Sequence, residues 1–274
     1  MTRRTTMAVV LALLGGCLWL AQAQTSFKKR VEAFAKLPDW SGLWELDAFA
    51  GQSAGQQLTP AGLRTYQAYI AAMHPAFNAE WEAKYDQAKK ALDAAIAADP
   101  DHPPATLQPC VAPAFPATVR PGIFEWRVTP EETSLLTSMG SVRHIYTDGR
   151  VHPPKDELWP TRMGDSVGRW EGDTLVVDTV ATKPQLEIVE RGVFATIIPM
   201  SDQLHFVERI RMVNHNAMQI QFTTEDPMAL AKPLEVTITW ERVTDINRMT
   251  NENECDPASD RNPVVNGRFT TVVH

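Results

Sequence analysis

The sequence predicts a mainly β protein: an antiparallel β-barrel or strongly curved sheet with an N-terminal helical appendage. Three observations carry this. From Ile123 onward, apolar and polar residues alternate with period two. Turn signals separate the alternating stretches: Asp148-Gly149, Glu171-Gly172-Asp173, Arg191-Gly192, Asn214-His215-Asn216 and Asp226-Pro227. The connections between successive stretches are short, which favours a meander, and closing the meander on itself removes exposed edges.

Residues 1–23 read as a secretory signal. Arg3 and Arg4 give a positive start, Met7–Leu20 is an apolar run too short to span a bilayer comfortably, and Ala21-Gln22-Ala23 is a small-x-small cleavage site. Two variants stay open: Leu14-Gly15-Gly16-Cys17 as a lipoprotein site, and Arg3-Arg4 as a twin-arginine signal, although Thr5-Thr6 continues that motif poorly. Either way the expected location is periplasmic, and no other segment is apolar and long enough for a stable membrane span.

Cleavage leaves roughly 250 residues, the size of one large domain or of one domain with an appendage. The expected organisation is a signal over 1–23, an N-terminal segment with the first strand and helical appendage over 24–110, and a barrel core with C-terminal tail over 111–274. Within the second part, Phe27, Val31, Phe34 and Leu37 recur at helical spacing, and Asp39–Trp44 opens a strand. Residues 50–57 are a Gly, Gln and Ser loop. Thr59-Pro60 caps a helix over 60–98 that breaks near His74-Pro75. Pro100–Pro121 is a Pro-rich connection. The candidate strands are 123–129, 132–138, 141–147, 166–171, 173–180, 185–190, 193–199, 203–213, 217–225 and 233–243, followed by a polar, irregular tail after 245.

The hydrophobic share of 44% is enough for a sizeable core, and a charged share of 22% is near the globular average. Net charge is −7, with no basic stripe to displace counterions, which excludes nucleic acid as the expected partner. Once Cys17 leaves with the leader, Cys110 and Cys255 remain, and two cysteines in an oxidising compartment suggest one disulfide. It would close a loop of about 146 residues, worth roughly 4–5 kcal/mol in the chain-entropy model. The alternative is two unpaired thiols. The chain has no HExxH, no paired CxxC, no EF-hand loop and no Rossmann or phosphate loop, so the sequence implies neither a metal nor a cofactor.

Strand alternation assigns faces. Leu204, Phe206, Glu208, Ile210 and Met212 share one face of 203–213; Met218, Ile220 and Phe222 continue it, as do Val236, Ile238 and Trp240. Glu208 is a carboxylate in the middle of an apolar face, so it needs a partner or a raised pKa. Arg143, His144 and Arg169 are candidate partners. Glu208 is either an interior functional acid or half of a structural ion pair. A second dense patch runs from His144 through Tyr146, Arg150 and His152 to Pro153; its Asp148-Gly149 is turn chemistry, whereas Arg150 and His152 are not explained by the turn. Gly164-x-Ser166-x-Gly168 looks like a nucleophile elbow but leads into a hairpin rather than a helix, so it is not read as one.

Asp39-Trp40-Ser41-Gly42-Leu43-Trp44, Cys110 with the Pro113 and Pro116 segment, Ile145–Arg150 with His152-Pro153, Gly164-x-Ser166-x-Gly168 running through Arg169-Trp170-Glu171-Gly172-Asp173 to Asp178-Thr179, Glu208-Arg209 and Asp226-Pro227 carry a resemblance. The chain resembles a group of exported bacterial proteins, mostly uncharacterised, abundant in sphingomonads and related soil bacteria and loosely described as lipocalin-like. The similarity covers most of the mature chain and implies a barrel-like fold; it brings no catalytic residues across. This chain departs from the group at Ala114-Phe115-Pro116, where Gly-Met-Pro is usual, at His144, often Arg, and at Val180-Ala181, often Gly-Phe.

The functional expectation is an exported protein that binds a hydrophobic or aromatic small molecule in a barrel pocket. Trp126, Tyr146, Trp170 and Trp240 are the candidate walls, and Arg143, His144, Arg150, Arg169, Asp178 and Glu208 the candidate polar groups. The alternatives are a cofactor-independent isomerase, lyase or hydrolase for a hydrophobic substrate, with Glu208, His152 or His144 as acid or base, and a structural envelope protein with a filled barrel.

Overall fold

The computed structural model describes residues 27–49, 58–98, 115, 123–137, 141–184, 189–190, 196–197, 200–244, 264–265 and 268–269. The proposed leader, Cys17, and the Cys110–Cys255 pair lie outside the described residues.

Residues 27–34 form helix α1. Strand β1 is Leu43–Leu46, followed by a short 3-10 turn, Asp47–Phe49. Helix α2, Pro60–Ala72, starts as its sequence dictates. Pro60 occupies the first turn, and the Thr59 hydroxyl accepts the Gly62 N–H at 3.0 Å. Helix α3, Ala79–Ala98, begins after the break at His74-Pro75. The strands then follow as β2 (Phe124–Val128), β3 (Glu132–Thr137), β4 (Val142–Tyr146), β5 (Asp165–Glu171), β6 (Thr174–Val180), β7 (Val189–Glu190), β8 (Thr196–Ile197), β9 (His205–Asn214), β10 (Ala217–Glu225) and β11 (Leu234–Val243). Two short ones, β12 (Val264–Val265) and β13 (Arg268–Phe269), complete the set.

Nine strands close into a barrel in the order β1-β11-β10-β9-β6-β5-β4-β3-β2. The expected alternation holds on the long strands. Phe206, Glu208 and Ile210 of β9 are opposite Thr224, Phe222 and Ile220 of β10, and all six are buried. One feature departs from an all-antiparallel meander: β4 and β5 run parallel, through the single pair Tyr146↔Val167. A parallel pair needs a crossover rather than a hairpin. Residues 147–164, with Pro153, Pro154 and Pro160, supply one. β5 lies close against β4 because Gly168 has no side chain. A Cβ there would sit 2.8 Å from Ile145 Cγ2 and 3.2 Å from Leu175 Cδ1. The barrel also takes β1 from the N-terminal segment, which closes the ring between β2 and β11.

Helices α2 and α3 join separate apolar clusters. On α2, Tyr69 donates its hydroxyl to Asp47 Oδ2 at 3.1 Å and accepts the Thr239 N–H of β11 at 3.2 Å. The N-terminal part of α3 builds a separate apolar cluster, with Phe77, Trp81 and Tyr85 against Met200, Leu204, Ala229 and Leu230. Asp226, itself buried, organises the turn beneath that cluster by accepting from the Ser201 hydroxyl and N–H, both at 2.7 Å, and from the Met228 and Ala229 N–H groups. No helix among the described residues is long and apolar enough to cross a membrane.

Candidate functional site in the barrel interior and on its outer face

The barrel has two ends. At one, β4 brings Arg143 inward, β5 brings Ser166, β6 brings Thr179 and β9 brings Glu208. Arg143 and Glu208 are each 1% exposed. The guanidinium donates from Nη1 to Glu208 Oε1 at 3.1 Å and from Nη2 to Oε2 at 2.5 Å, a two-pronged pair. Nη2 also donates to Thr179 Oγ1 at 2.8 Å and Nε to Ser166 Oγ at 3.3 Å. These bonds hold the guanidinium by its edges and leave its faces for ring contact. The Phe115 ring covers one face, 3.9 Å from the guanidinium carbon, and meets Phe206 edge-on at 4.7 Å. Phe115 belongs to no barrel strand.

The interior carboxylate expected from the sequence therefore has both oxygens occupied by Arg143. Of the three partners considered, His144 and Arg169 face outward, where they pair with Glu132 and Glu171. Ser166 lies within β5, hydrogen-bonded to Arg143 and Thr179, and not on a nucleophile elbow.

The other end is aromatic. Trp40, just before β1, packs edge-on against Trp126 at 5.4 Å and Trp170 at 5.0 Å. Phe124 links this group to Trp240, with 4.0 Å between centroids. Arg242 clamps the segment that carries Trp40. It donates to the carbonyls of Asp39, Ser41 and His215, and its guanidinium lies 4.4 Å from the Trp44 ring. Trp44 Nε1 adds a bond to the Trp40 carbonyl at 3.0 Å. The indole N–H groups of Trp40, Trp126, Trp170 and Trp240 are all buried and have no acceptor among the described residues.

The remaining candidates lie on the outer surface. Arg150 pairs with Asp148 and stacks over Tyr146 at 3.8 Å, a self-contained turn; the Asp148 carboxylate holds the Arg150 pKa above its ordinary value. His152 and Asp178 belong to a longer chain of contacts. His152 Nδ1 is 2.5 Å from Asp165 Oδ1 on β5, and its Nε2 is 3.4 Å from Asp178 Oδ1 on β6. The same Asp178 oxygen is 3.0 Å from His205 Nε2 on β9, and His205 Nδ1 is 3.1 Å from Glu225 Oε2 on β10. Burial opposes the charged form of His205, but Glu225 and Asp178 outweigh it and raise its pKa. His152 Nδ1 is taken by Asp165, and Nε2 is buried beside Asp178 without a hydrogen bond to it, so neither nitrogen is exposed to meet a substrate in this arrangement.

The site residues read from sequence thus divide. Arg143 and Glu208 meet at one end of the barrel interior and Trp126, Trp170 and Trp240 line the other, whereas His144, Tyr146, Arg150, His152, Arg169 and Asp178 lie outside it. Sequence reasoning missed Thr179 and Ser166 as partners of Arg143, Phe115 as its cover and Trp40 as the plug of the opposite end. It also missed the Asp165–His152–Asp178–His205–Glu225 chain. Period-two alternation held the signal for Ser166 and Thr179, because both share the inward face of their strands. Phe115 and Trp40 gave none, since neither lies in a strand. Among the described residues, no group of three or more His, Cys, Asp or Glu side chains is arranged to hold a metal ion. No family model, curated protein or solved structure matches the chain.

Proposed function

We propose that the barrel interior binds a small, largely apolar molecule that carries hydrogen-bond acceptors, such as a ketone or ester on an aromatic or alicyclic frame. The observation that carries this reading is the set of indole N–H groups on Trp40, Trp126, Trp170 and Trp240, buried in one barrel without an acceptor. Buried indoles ordinarily find a partner, and each donor left alone costs about 1–3 kcal/mol. A ligand oxygen among these rings would recover that cost while the rings supply apolar contact. A barrel of this size can hold one small ligand.

The inward side chains already touch one another, so a ligand enters only where a side chain from outside the strands withdraws. Two such side chains among the described residues reach in, Trp40 and Phe115. We place the mouth at the Phe115 end, because the Phe115 N–H is held by Arg162 of the 147–164 crossover, whereas Trp40 is held by Arg242 and Trp44 of the barrel strands. The leader pattern over residues 1–23 supports placing this activity outside the cytoplasm.

Calorimetric titration of the purified protein with acetophenone and with ethylbenzene tests the reading. The two differ by one acceptor on frames of nearly equal size. The expected result is saturable binding of the ketone, about tenfold tighter than the hydrocarbon, the worth of one hydrogen bond. Absence of saturable binding by either, or equal affinity for both, overturns it.

A further inference from the structure

We propose that residues 147–164 form a strap over the Phe115 end of the barrel, fastened by the outer histidine–carboxylate chain and loosened as pH rises.

Beyond its first residue, whose N–H donates to the Glu131 carbonyl at 2.8 Å, the strap is held at two places. Its later part is tied by backbone bonds: the Thr161 N–H to the Ala181 carbonyl at 3.0 Å, and the Lys183 N–H to the Thr161 carbonyl at 2.8 Å. The same stretch carries Phe115, whose N–H donates to the Arg162 carbonyl at 2.7 Å. The ring that covers Arg143 therefore hangs on the strap. The earlier part is tied by side chains, with His152 between Asp165 of β5 and Asp178 of β6.

Asp178 is shared with His205, and His205 is shared with Glu225. Two imidazoles thus separate three carboxylates on one outer face. Other charged groups nearby are Arg150, close enough to favour its own charged form through Asp165, and Arg209 on β9, committed to Glu171. Glu235, on β11 opposite Thr223, adds negative charge on the same side. No lysine or arginine among the described residues bridges Asp178 and Glu225. When His205 loses its proton, Asp178 and Glu225 are left with no positive charge between them, and the carboxylate end of the tie between strap and barrel is destabilised. The raised pKa of His205 agrees with this direction. The strap is otherwise exposed, with Val151 and Trp159 each 82% accessible, so little apolar contact holds it.

Amide hydrogen exchange on the ligand-free protein tests this at about pH 5.5 and about pH 8.5, either side of the ordinary imidazole range. Protection of the hydrogen-bonded Glu157, Leu158 and Thr161 amides, corrected for intrinsic exchange, is expected to fall about two- to fivefold at the higher pH for each tie lost. His205→Gln should shrink that difference, and Asp178→Asn, which cuts both ties, should leave protection low at both values. Histidine proton shifts followed by NMR should place the His205 titration above the ordinary imidazole value. Equal protection at the two pH values in the wild type, or an unchanged difference in Asp178→Asn, overturns the strap. Because no ligand is present, this outcome is separable from failure of the binding reading.

Discussion

Glu208→Gln replaces a buried carboxylate by an amide of the same shape and leaves Arg143 charged in the barrel interior. The guanidinium then keeps Ser166 and Thr179 as acceptors and one amide oxygen in place of two carboxylate oxygens. Removing one partner of a buried pair costs about 3–5 kcal/mol, because the surviving charge has no water to turn to. For a domain of this size, that lowers the melting temperature by about 6–20 °C. Urea melts followed by far-UV circular dichroism read the loss directly, with the m-value as a check that the unfolded state is unchanged. The double variant Arg143→Met with Glu208→Leu removes both charges and should recover most of the loss. A loss below about 1 kcal/mol in Glu208→Gln would refute the reasoning, since a solvated surface pair behaves that way.

Gly168→Ala should destabilise by about 1–3 kcal/mol in the same melts, because its methyl would meet Ile145, Thr147 and Leu175 at 2.8–3.2 Å. Gly62→Ala should be at least as harmful: the added carbon would lie 2.3 Å from the Ala48 carbonyl oxygen, a backbone atom with nowhere to go. Thr59→Ala removes the cap of α2 and should cost about 1 kcal/mol. Stability should also depend on pH through His205. Its folded pKa is raised, so its contribution is complete below about pH 6.5 and is lost as pH rises through the folded value; His205→Gln should flatten that slope in melts across the range. Trp170→Phe keeps the ring and removes one orphaned donor, so its ketone-over-hydrocarbon preference should fall while the fold persists.

Much of the barrel was legible because β-strands expose their periodicity directly. Phe206, Glu208 and Ile210 fall on one face by counting in twos, and the turn residues mark where each strand stops. The oddity of Glu208 was legible for the same reason, since a carboxylate in an apolar row stands out. Which cation would meet it was not, because Arg143 lies 65 residues away and becomes its neighbour only when β4, β5, β6 and β9 line up in the ring. The parallel β4–β5 pair was hidden too. Nothing in the strand residues themselves encodes direction, and the length of the 147–164 connection was the only hint. Trp40 and Phe115 enter the barrel from irregular backbone, where no periodicity applies. The His152–His205 chain depends on diagonal neighbours across three strands and a crossover, a relation that exists only in the folded sheet.

The ring is completed by β1 and β11, with Leu43 directly opposite Val243. Strands so distant along the chain must find each other late, since most of the chain lies between them, and folding slows as such non-local pairing comes to dominate. A nascent chain cannot seal this barrel until synthesis has passed Val243. Until then β1 and β10 present unpaired edges, the surface on which partly folded chains join one another. A circular permutant with its new ends in the exposed 151–160 stretch and its old ends joined would bring β11 and β1 much closer together in sequence. It should refold faster than the natural order at similar stability.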